Sequence, residues 1–453
     1  MSYDAPYFVL FLAAVWLLCR WTPWPGWVLL AASIAFYAVA GLRDSLIAAA
    51  LILANYAFQF AILRHRLWLA PALAINFATL AYFKYRVFLS GAAGSDLFTG
   101  RIVVPLGISF YVFQLSAFLI DLSRGRAEPI FSLARFAFFK LFFAQLVAGP
   151  IMRWRQWGPQ VHRLFEGRLP GHRLIGLGLG LCVLGLFKKI VLADSLAPLV
   201  DQVFRAGPAD AAAAWFGVWL FGFQIYFDFS GYSDIAVGLA YLFGMRLAVN
   251  FRQPYLARTP QEFWRRWHIT LSQWVRDYLY LPLGGGRGPA WQRAAVLCAV
   301  MALAGLWHGA NWTFIVWGVG WAVTIAAWRA AGPALARLGP FEGLLLLALA
   351  MVLWVFFRAA DLDAAGAHLA ALFGAAAGSA HLPDDGNGGA LIAAGCAALL
   401  LLHWLEARLF TRRALHALRR WDGPFLRGLL AGLAIGLVLI PRAQENPFIY
   451  FRF

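Results

Sequence analysis

Residues 294–327 read AAVLCAVMALAGLWHGANWTFIVWGVGWAVTIAA, two apolar runs separated by a short polar break. A membrane-spanning helix needs about 20 mostly apolar residues, and each run supplies much of that length. Gly309 is placed to end the first helix, and Asn311 is placed to cap the second. The sequence therefore predicts a helical membrane protein whose chain leaves the helix at His308, in apolar surroundings.

The depth of His308 in the bilayer follows from its distance to the nearest charge. Arg293 marks the interface, and His308 follows 15 residues later, which is about 22 Å along a helix in a hydrocarbon core about 30 Å thick. Non-helical backbone at that depth is tolerated only beside protein or a water-filled cavity. Two interpretations stay open: a structural bridge between the helices, or a general base at the floor of a cavity.

The composition excludes a soluble, a disordered and a fibrous chain. Of the 453 residues, 62% are hydrophobic and 13% are charged, whereas soluble domains carry about 25% charged residues. The net charge of +17 would suggest a nucleic-acid partner in a soluble protein. In a membrane protein, Lys and Arg collect in cytoplasmic loops instead. We therefore expect no nucleic-acid partner and place the Arg-rich segments 153–173 and 408–427 in the cytoplasm.

Apolar stretches predict an all-α polytopic membrane protein with about 11–14 transmembrane or re-entrant helices. No polar segment is long enough for a second domain, so we predict a single integral membrane domain over 1–453. The chain shows no internal repeat, which disfavours a transporter built from inverted repeats. The candidate stretches lie near 6–22, 25–41, 45–63, 67–88, 103–121, 131–150, 174–193, 212–228, 229–247, 294–308, 312–330, 342–358, 390–405 and 428–441.

The segment Phe263–Tyr280 predicts one amphipathic helix at the membrane interface. Its apolar face carries aromatic residues and a single ionisable group, His268, while Arg265 and Arg266 lie on the other face. Such a helix is too polar to span lipid. For His268, too, two interpretations stay open: a packed histidine bonded to a backbone carbonyl, or a functional group.

Two carboxylates, Asp228 and Asp234, lie between apolar runs on either side of a glycine. They could bind a cation, pair with the Arg residues of 252–266, or cap the helix that follows.

Other ionisable residues are weaker candidates. Lys188 and Lys189 are interpreted as interface anchors, with Asp194 as a candidate partner. His403 lies in a late apolar helix and is a poor candidate for chemistry. The chain has no His-Glu-x-x-His or Cys-x-x-Cys pattern, so no metal is expected. It also lacks the serine-hydrolase elbow and the phosphate-binding loop.

Several of these segments resemble the membrane-bound O-acyltransferase family, in particular its bacterial branch that supplies acetyl groups to alginate and similar exopolysaccharides. The resemblance runs from about residue 100 to the end and is most specific in 185–317. One departure is WGVGWA at 317–322, where such members often carry a histidine four residues after the tryptophan. The matching segments include GLFKK at 185–189, FDFSGYSD at 227–234, EFWRRWHITLS at 262–272, RDYLY at 276–280 and GLWHGANWT at 305–313.

This resemblance implies an O-acyltransferase of the bacterial inner membrane, folded around a central funnel or tunnel. It implies transfer of acetyl from a cytoplasmic thioester, acetyl-CoA or an acyl carrier, toward hydroxyls of an exported polysaccharide, with no bound cofactor. His308 corresponds to the general base and His268 to the second active-site position. The remaining candidates, for substrate binding or oxyanion support, are Asn311, Trp307, Asp228, Asp234, Arg265 and Arg266.

The expected partners are membrane lipid, the acyl donor, the polysaccharide acceptor and periplasmic acetyltransferase proteins. Alginate, another exopolysaccharide, cellulose, peptidoglycan and a serine of a partner protein are all compatible acceptors. Two rival functions also stay open, a transporter or flippase and a scaffold without catalytic activity that recruits a periplasmic transferase.

Overall fold

A computed structural model shows that the chain is built from helices, and no strand occurs in the part of the chain that it describes. The predicted all-α class is thereby confirmed. The described residues are 3–95, 98, 100, 103–147, 149–169, 174–375, 378–379, 388–409, 423–441 and 448–449. Most of the Arg-rich segment at 408–427 lies outside them.

The α-helices follow one another through the described residues, and most are shorter than 20 residues. In chain order they are α1 Pro6–Trp21, α2 Pro25–Ala38, α3 Leu42–Arg64, α4 Leu69–Leu80, α5 Arg86–Ala92, α6 Ile108–Ser123, α7 Leu133–Leu141, α8 Phe143–Leu146, α9 Trp154–Phe165, α10 Ile175–Leu186, α11 Asp194–Ala206, α12 Ala211–Leu242, α13 Pro260–Arg266, α14 Ile269–Val275, α15 Ala290–His308, α16 Trp312–Ala336, α17 Phe341–Arg358, α18 Leu362–Leu372, α19 Gly388–Leu409 and α20 Pro424–Val438.

Within the described residues, six continuous helical stretches are long and apolar enough to cross a membrane, and five shorter apolar helices accompany them. The shorter ones are α1, α2, α6, α18 and α20. A polytopic membrane protein follows from these lengths. The six long stretches are Leu42–Arg64, Arg66–Ala92, Ile175–Ala206, Ala290–His308, Trp312–Ala336 and Phe341–Arg358.

The chain forms two compact units that interleave along the sequence, and α12 contributes residues to both. The single domain and the central funnel therefore stay predictions. Unit 1 comprises Met1–Leu186, Tyr232–Val249 and Leu418–Arg442, and unit 2 comprises Phe187–Gly231, Asn250–Ala417 and Ala443–Phe453.

The predicted span at 131–150 is wrong. α7 ends at Leu141, Phe142 leaves the helical conformation with ψ 113°, and α8 adds only one turn. Phe138 stacks on Trp157 with ring centroids 5.5 Å apart, and Phe142 contacts the same indole at 5.5 Å. The apolar character of this run reflects aromatic packing inside unit 1, not a helix that crosses lipid.

The two predicted helices at 212–228 and 229–247 form a single helix, α12. Gly231 lies inside it without interrupting it. A glycine in a helix costs only about 1 kcal/mol relative to alanine, which the surrounding packing outweighs.

Helices α15 and α16 cross in unit 2 at two glycines. A Cβ added to Gly305 would lie 2.0 Å from the carbonyl oxygen of Phe314, and one added to Gly318 would lie 2.0 Å from that of Met301. Backbone therefore packs on backbone, as small residues allow between membrane helices. This contact holds the two helices that flank His308.

We expect Gly305→Ala to destabilise the protein by more than the usual cost of overpacking, about 1–3 kcal/mol. The neighbour of the new methyl group would be backbone, which cannot rotate away. Thermal unfolding of the detergent-purified chain measures this effect. Gly366→Ala in α18 is the matched control, because its Cβ meets open space and should be neutral or stabilise the helix by about 0.5–1 kcal/mol. Equal melting temperatures for the two variants would contradict the close crossing.

Candidate active site

His308 is the last residue of α15, and the chain leaves the helix at Gly309, as the sequence predicts. Gly309 has extended backbone, with φ −160°, which any residue can adopt. A glycine is needed there because a Cβ would lie 2.0 Å from the Phe314 ring. Asn311 then caps α16, since its Oδ1 accepts a hydrogen bond from the backbone N–H of Thr313 at 3.2 Å. The helix break predicted from the sequence is confirmed.

The imidazole of His308 is enclosed by aromatic rings, and the residue is only 3% exposed. The rings of Trp307, Trp317 and Phe357 lie 5.0, 5.2 and 5.2 Å from it, centroid to centroid, each steeply inclined to its plane. These walls restrict the rotation of the imidazole and keep bulk water away from it. Water therefore competes little with this histidine as an acceptor of a proton from a bound substrate.

The single helix predicted for Phe263–Tyr280 is wrong at its middle. α13 ends at Arg266, α14 begins at Ile269, and between them His268 has φ +39°, in the left-handed region. Only a few per cent of non-glycine residues adopt this conformation, although histidine is enriched among them. Backbone outliers of this kind cluster at functional sites.

Long-range backbone pairing explains the break. The N–H of Arg252 donates to the carbonyl of Arg266 at 2.9 Å, and the N–H of Ile269 donates to that of Asn250 at 2.9 Å. The Thr270 hydroxyl also donates to Oδ1 of Asn250, at 2.6 Å. These hydrogen bonds fix the backbone on both sides of the histidine. They replace the helical hydrogen bonds that would otherwise continue through it.

His268 is fully buried, at 0% exposed. Its ring meets Phe229 at a right angle with centroids 4.7 Å apart, and the ring of Trp307 lies 6.1 Å away. Burial lowers the pKa of His268 to about 3, so its imidazole is neutral near pH 7. Trp307 contacts both His268 and His308, and the structure thereby brings the two predicted histidines into one site.

Lys189 is buried in an ion-pair cluster, which corrects its interpretation as an interface anchor. It is 4% exposed, and its Nζ lies 2.7 Å from Asp194 Oδ1 and 2.8 Å from Asp228 Oδ1. The other oxygen of Asp228 accepts a hydrogen bond from the Ile449 N–H at 2.8 Å. The Asp194 partnership is thereby confirmed, whereas Asp228 pairs with this lysine and not with an arginine of 252–266.

A neighbouring buried cluster was missed by sequence reasoning. Lys188, 3% exposed, forms an ion pair with Glu406, whose second oxygen accepts a hydrogen bond from the Tyr226 hydroxyl at 2.7 Å. His403 is 0% exposed, its Nε2 accepts the N–H of Tyr255 at 3.3 Å, and its Nδ1 lies 3.7 Å from Glu406 Oε2. A glutamate in an apolar helix is costly in lipid, and that signal could have identified the cluster.

The remaining predicted site residues are placed less centrally. Arg265 is exposed, and Arg266 forms an ion pair with Glu262 at 2.6 Å. Asn311 donates its amide to the Ala360 carbonyl at 2.7 Å. Asp234 belongs to unit 1, outside the unit that holds the histidines. Roles for these four residues in binding stay predictions.

Both histidines of the site lie in a stretch of sequence that matches a known protein family. The sequence profile of the membrane-bound O-acyltransferase family matches residues 82–339 of this chain, a range that includes both histidines of the site. The chain belongs to this family. The family resemblance is thus confirmed, and the roles of His308 and His268 stay predictions.

The chain is similar to proteins named as O-acetylases of alginate and of peptidoglycan. The chain is 41% identical over 318 residues to a probable alginate O-acetylase of Azotobacter vinelandii, covering 68% of this chain and 62% of that protein. It is 34% identical over 416 residues to a probable alginate O-acetylase of Pseudomonas putida, covering 85% and 84%. It is 37% identical over 337 residues to a peptidoglycan O-acetyltransferase of Helicobacter pylori, covering 66% and 63%. This chain thus spans less than two thirds of the first and third of these relatives.

Proposed function

We propose that this O-acyltransferase moves acyl groups, acetyl first among them, from a thioester donor to hydroxyls of an exported polysaccharide, with His308 as the general base. The observation that carries the proposal is a buried histidine at a helix break, enclosed by Trp307, Trp317 and Phe357. A second buried histidine, His268, reaches the same indole. The alginate and peptidoglycan O-acetyltransferases among its relatives support the class of acceptor.

The proposed reaction is direct transfer through one tetrahedral intermediate. The acceptor hydroxyl oxygen attacks the thioester carbonyl, and His308 takes the hydroxyl proton as the new C–O bond forms. The intermediate collapses with cleavage of the C–S bond, and the imidazolium returns the proton to the departing thiolate. The products are an ester and a free thiol, and the histidine ends the cycle neutral.

His268 is proposed to orient the acceptor or the thioester carbonyl. Its lowered pKa keeps it neutral, so it acts as a hydrogen-bonding group and not as a charge. The negative oxygen of the intermediate needs donors aimed at it. We propose that backbone N–H groups in the first turn of α16, just after the break, donate to this oxygen, because a helix N-terminus carries partial positive charge.

The donor is proposed to be acidic, either acetyl-CoA or an acyl carrier. The exposed side chains of Arg252, Arg258 and Arg265 give the 250–266 segment an excess of positive charge beside His268. A transporter is a weaker explanation. Lys189 and Asp228, which could have lined a path for ions, are paired with each other at 2.8 Å in the protein interior.

The proposal is tested by deleting the gene in its own host and measuring O-acetyl esters on exported polysaccharide by proton NMR. We expect the esters to disappear and to return when the full chain is supplied from a plasmid. Membrane vesicles given radiolabelled acetyl-CoA, an acetylated acyl carrier or a D-alanyl carrier then identify the donor.

Alginate oligomers and peptidoglycan fragments, added separately to the same vesicles, identify the acceptor. Full acetylation in the deleted strain would contradict the function. Transfer of label only from the D-alanyl carrier would show that the transferred group is amino-acyl and not acetyl.

A further inference from the structure

Unit 1 contains an apolar cavity of about 710 Å³ whose lining shares no residue with the histidine site. Leu12 of α1, Leu179 of α10, Leu239 of α12 and Ile435 of α20 are among the residues that line it. Apart from Tyr3, Trp16, Cys182 and Arg427, its lining consists of aliphatic side chains, Phe8 and glycine. Water gains few hydrogen bonds in such a space, and a polysaccharide, rich in hydroxyls, would lose many of its own.

The residues that line the cavity extend along two of the helices, from Phe8 to Leu17 on α1 and from Arg427 to Val438 on α20. At one end the ring of Tyr3 stacks on that of Tyr232 with centroids 4.6 Å apart. At the other end the indole N–H of Trp16 donates to the carbonyl of Leu242 at 3.2 Å. Ten residues of helix separate these contacts on α12, about 15 Å, or half of a hydrocarbon core about 30 Å thick. That is the depth of one leaflet, which one acyl chain spans.

Two basic side chains border the cavity. The guanidinium of Arg20 lies 5.2 Å from the centroid of the Trp16 ring, and Arg427, in the first turn of α20, lines the cavity. The lining includes no acidic side chain. The positive-inside rule places these arginines at the cytoplasmic surface, where anionic lipid headgroups attract basic side chains.

We propose that this cavity binds one acyl chain of an anionic membrane phospholipid, whose headgroup lies against Arg20 and Arg427. The apolar walls supply dispersion contacts to the chain, and the two arginines select the charge of the headgroup. A lipid held there packs α1 and α20 against the rest of unit 1 and stabilises it by binding only the folded state.

Native mass spectrometry of the full chain in detergent tests the proposal, with dioleoylphosphatidylglycerol and dioleoylphosphatidylcholine added at equal molar ratios. We expect one retained phosphatidylglycerol and roughly a tenfold or greater preference over phosphatidylcholine, as two arginines at a headgroup imply. Leu12→Trp should abolish retention by filling the cavity. The double variant Arg20→Gln with Arg427→Gln should keep one lipid and lose the preference.

Leu46→Trp and Arg64→Gln are the matched controls, because both positions are exposed on α3, away from the cavity lining; both should behave as the unmodified chain. If Leu12→Trp fails to fold, Ala431→Leu narrows the same cavity from α20 and should weaken retention. No retained lipid, equal retention of the two lipids by the unmodified chain, or retention unchanged by Leu12→Trp would overturn the proposal. A dimer that forms with the unmodified chain and not with Leu12→Trp would also overturn it, because the cavity would then bind a second copy of the chain.

Discussion

Replacing His308 with alanine is expected to lower acyl transfer by about 10²–10⁴-fold, the usual contribution of a positioned general base. The aromatic walls at 5.0–5.2 Å leave little room for water to take over as proton acceptor. The effect should fall on kcat, because the imidazole acts on the proton that moves in the transition state. Initial rates of label transfer from the thioester, measured in membrane vesicles with equal amounts of protein, give this value.

His368→Ala is the matched control for His308→Ala. His368 is also buried, at 3% exposed, and lies in the same unit, but its ring stacks on Phe204 at 4.4 Å and contacts the Ala214 carbonyl at 3.1 Å. Its loss should lower the melting temperature and leave the rate per folded molecule near that of the unmodified chain. Normal transfer by a folded His308→Ala variant would contradict the general-base role, and loss of transfer with normal folding would exclude a scaffold.

Replacing Lys189 with methionine is expected to destabilise the protein by about 3–5 kcal/mol, the cost of removing one partner from a buried ion pair. Asp194 and Asp228 would then face each other in the interior without the ammonium that now lies 2.7 and 2.8 Å from them. The consequence is a low yield of folded protein and a lower melting temperature in detergent.

Two comparison variants make the Lys189 result specific. Adding Asp228→Asn to Lys189→Met should restore part of the lost stability, because one of the buried charges disappears and residues in one network are not additive. Arg205→Ala removes an exposed i,i+4 partner of Asp201 and should cost less than about 1 kcal/mol. If Lys189→Met melts like Arg205→Ala, then the cluster contributes far less to folding than its burial implies.

Local signals in the sequence predicted the helix break at His308 but not the helix break at His268. The break at His308 is marked by Gly309 and by the cap Asn311, both within three residues of it. The break at His268 has no such mark, because the aromatic periodicity continues through it. Its cause is the pairing of Arg252 with Arg266 and of Asn250 with Ile269, which no periodicity within 263–280 can reveal.

Long-range partners also limited the interpretation of charged residues. Lys188 and Glu406 are 218 residues apart in the chain, and a lysine beside an apolar run is more often an anchor at the membrane surface. The nearer partner Asp194 was identified from sequence because it follows Lys189 by five residues. The helical class and the helix break at His308 were predictable, since each depends on local sequence pattern.

The position of Asp228 along α12 has a consequence for its charge. It lies 14 residues from the nearer end of this 32-residue helix, about 21 Å along the axis, and it is 3% exposed. Fraying of a helix end, which opens only the terminal residues, therefore does not bring this carboxylate to water. Its charge has to be neutralised from within the protein, by Lys189 at 2.8 Å.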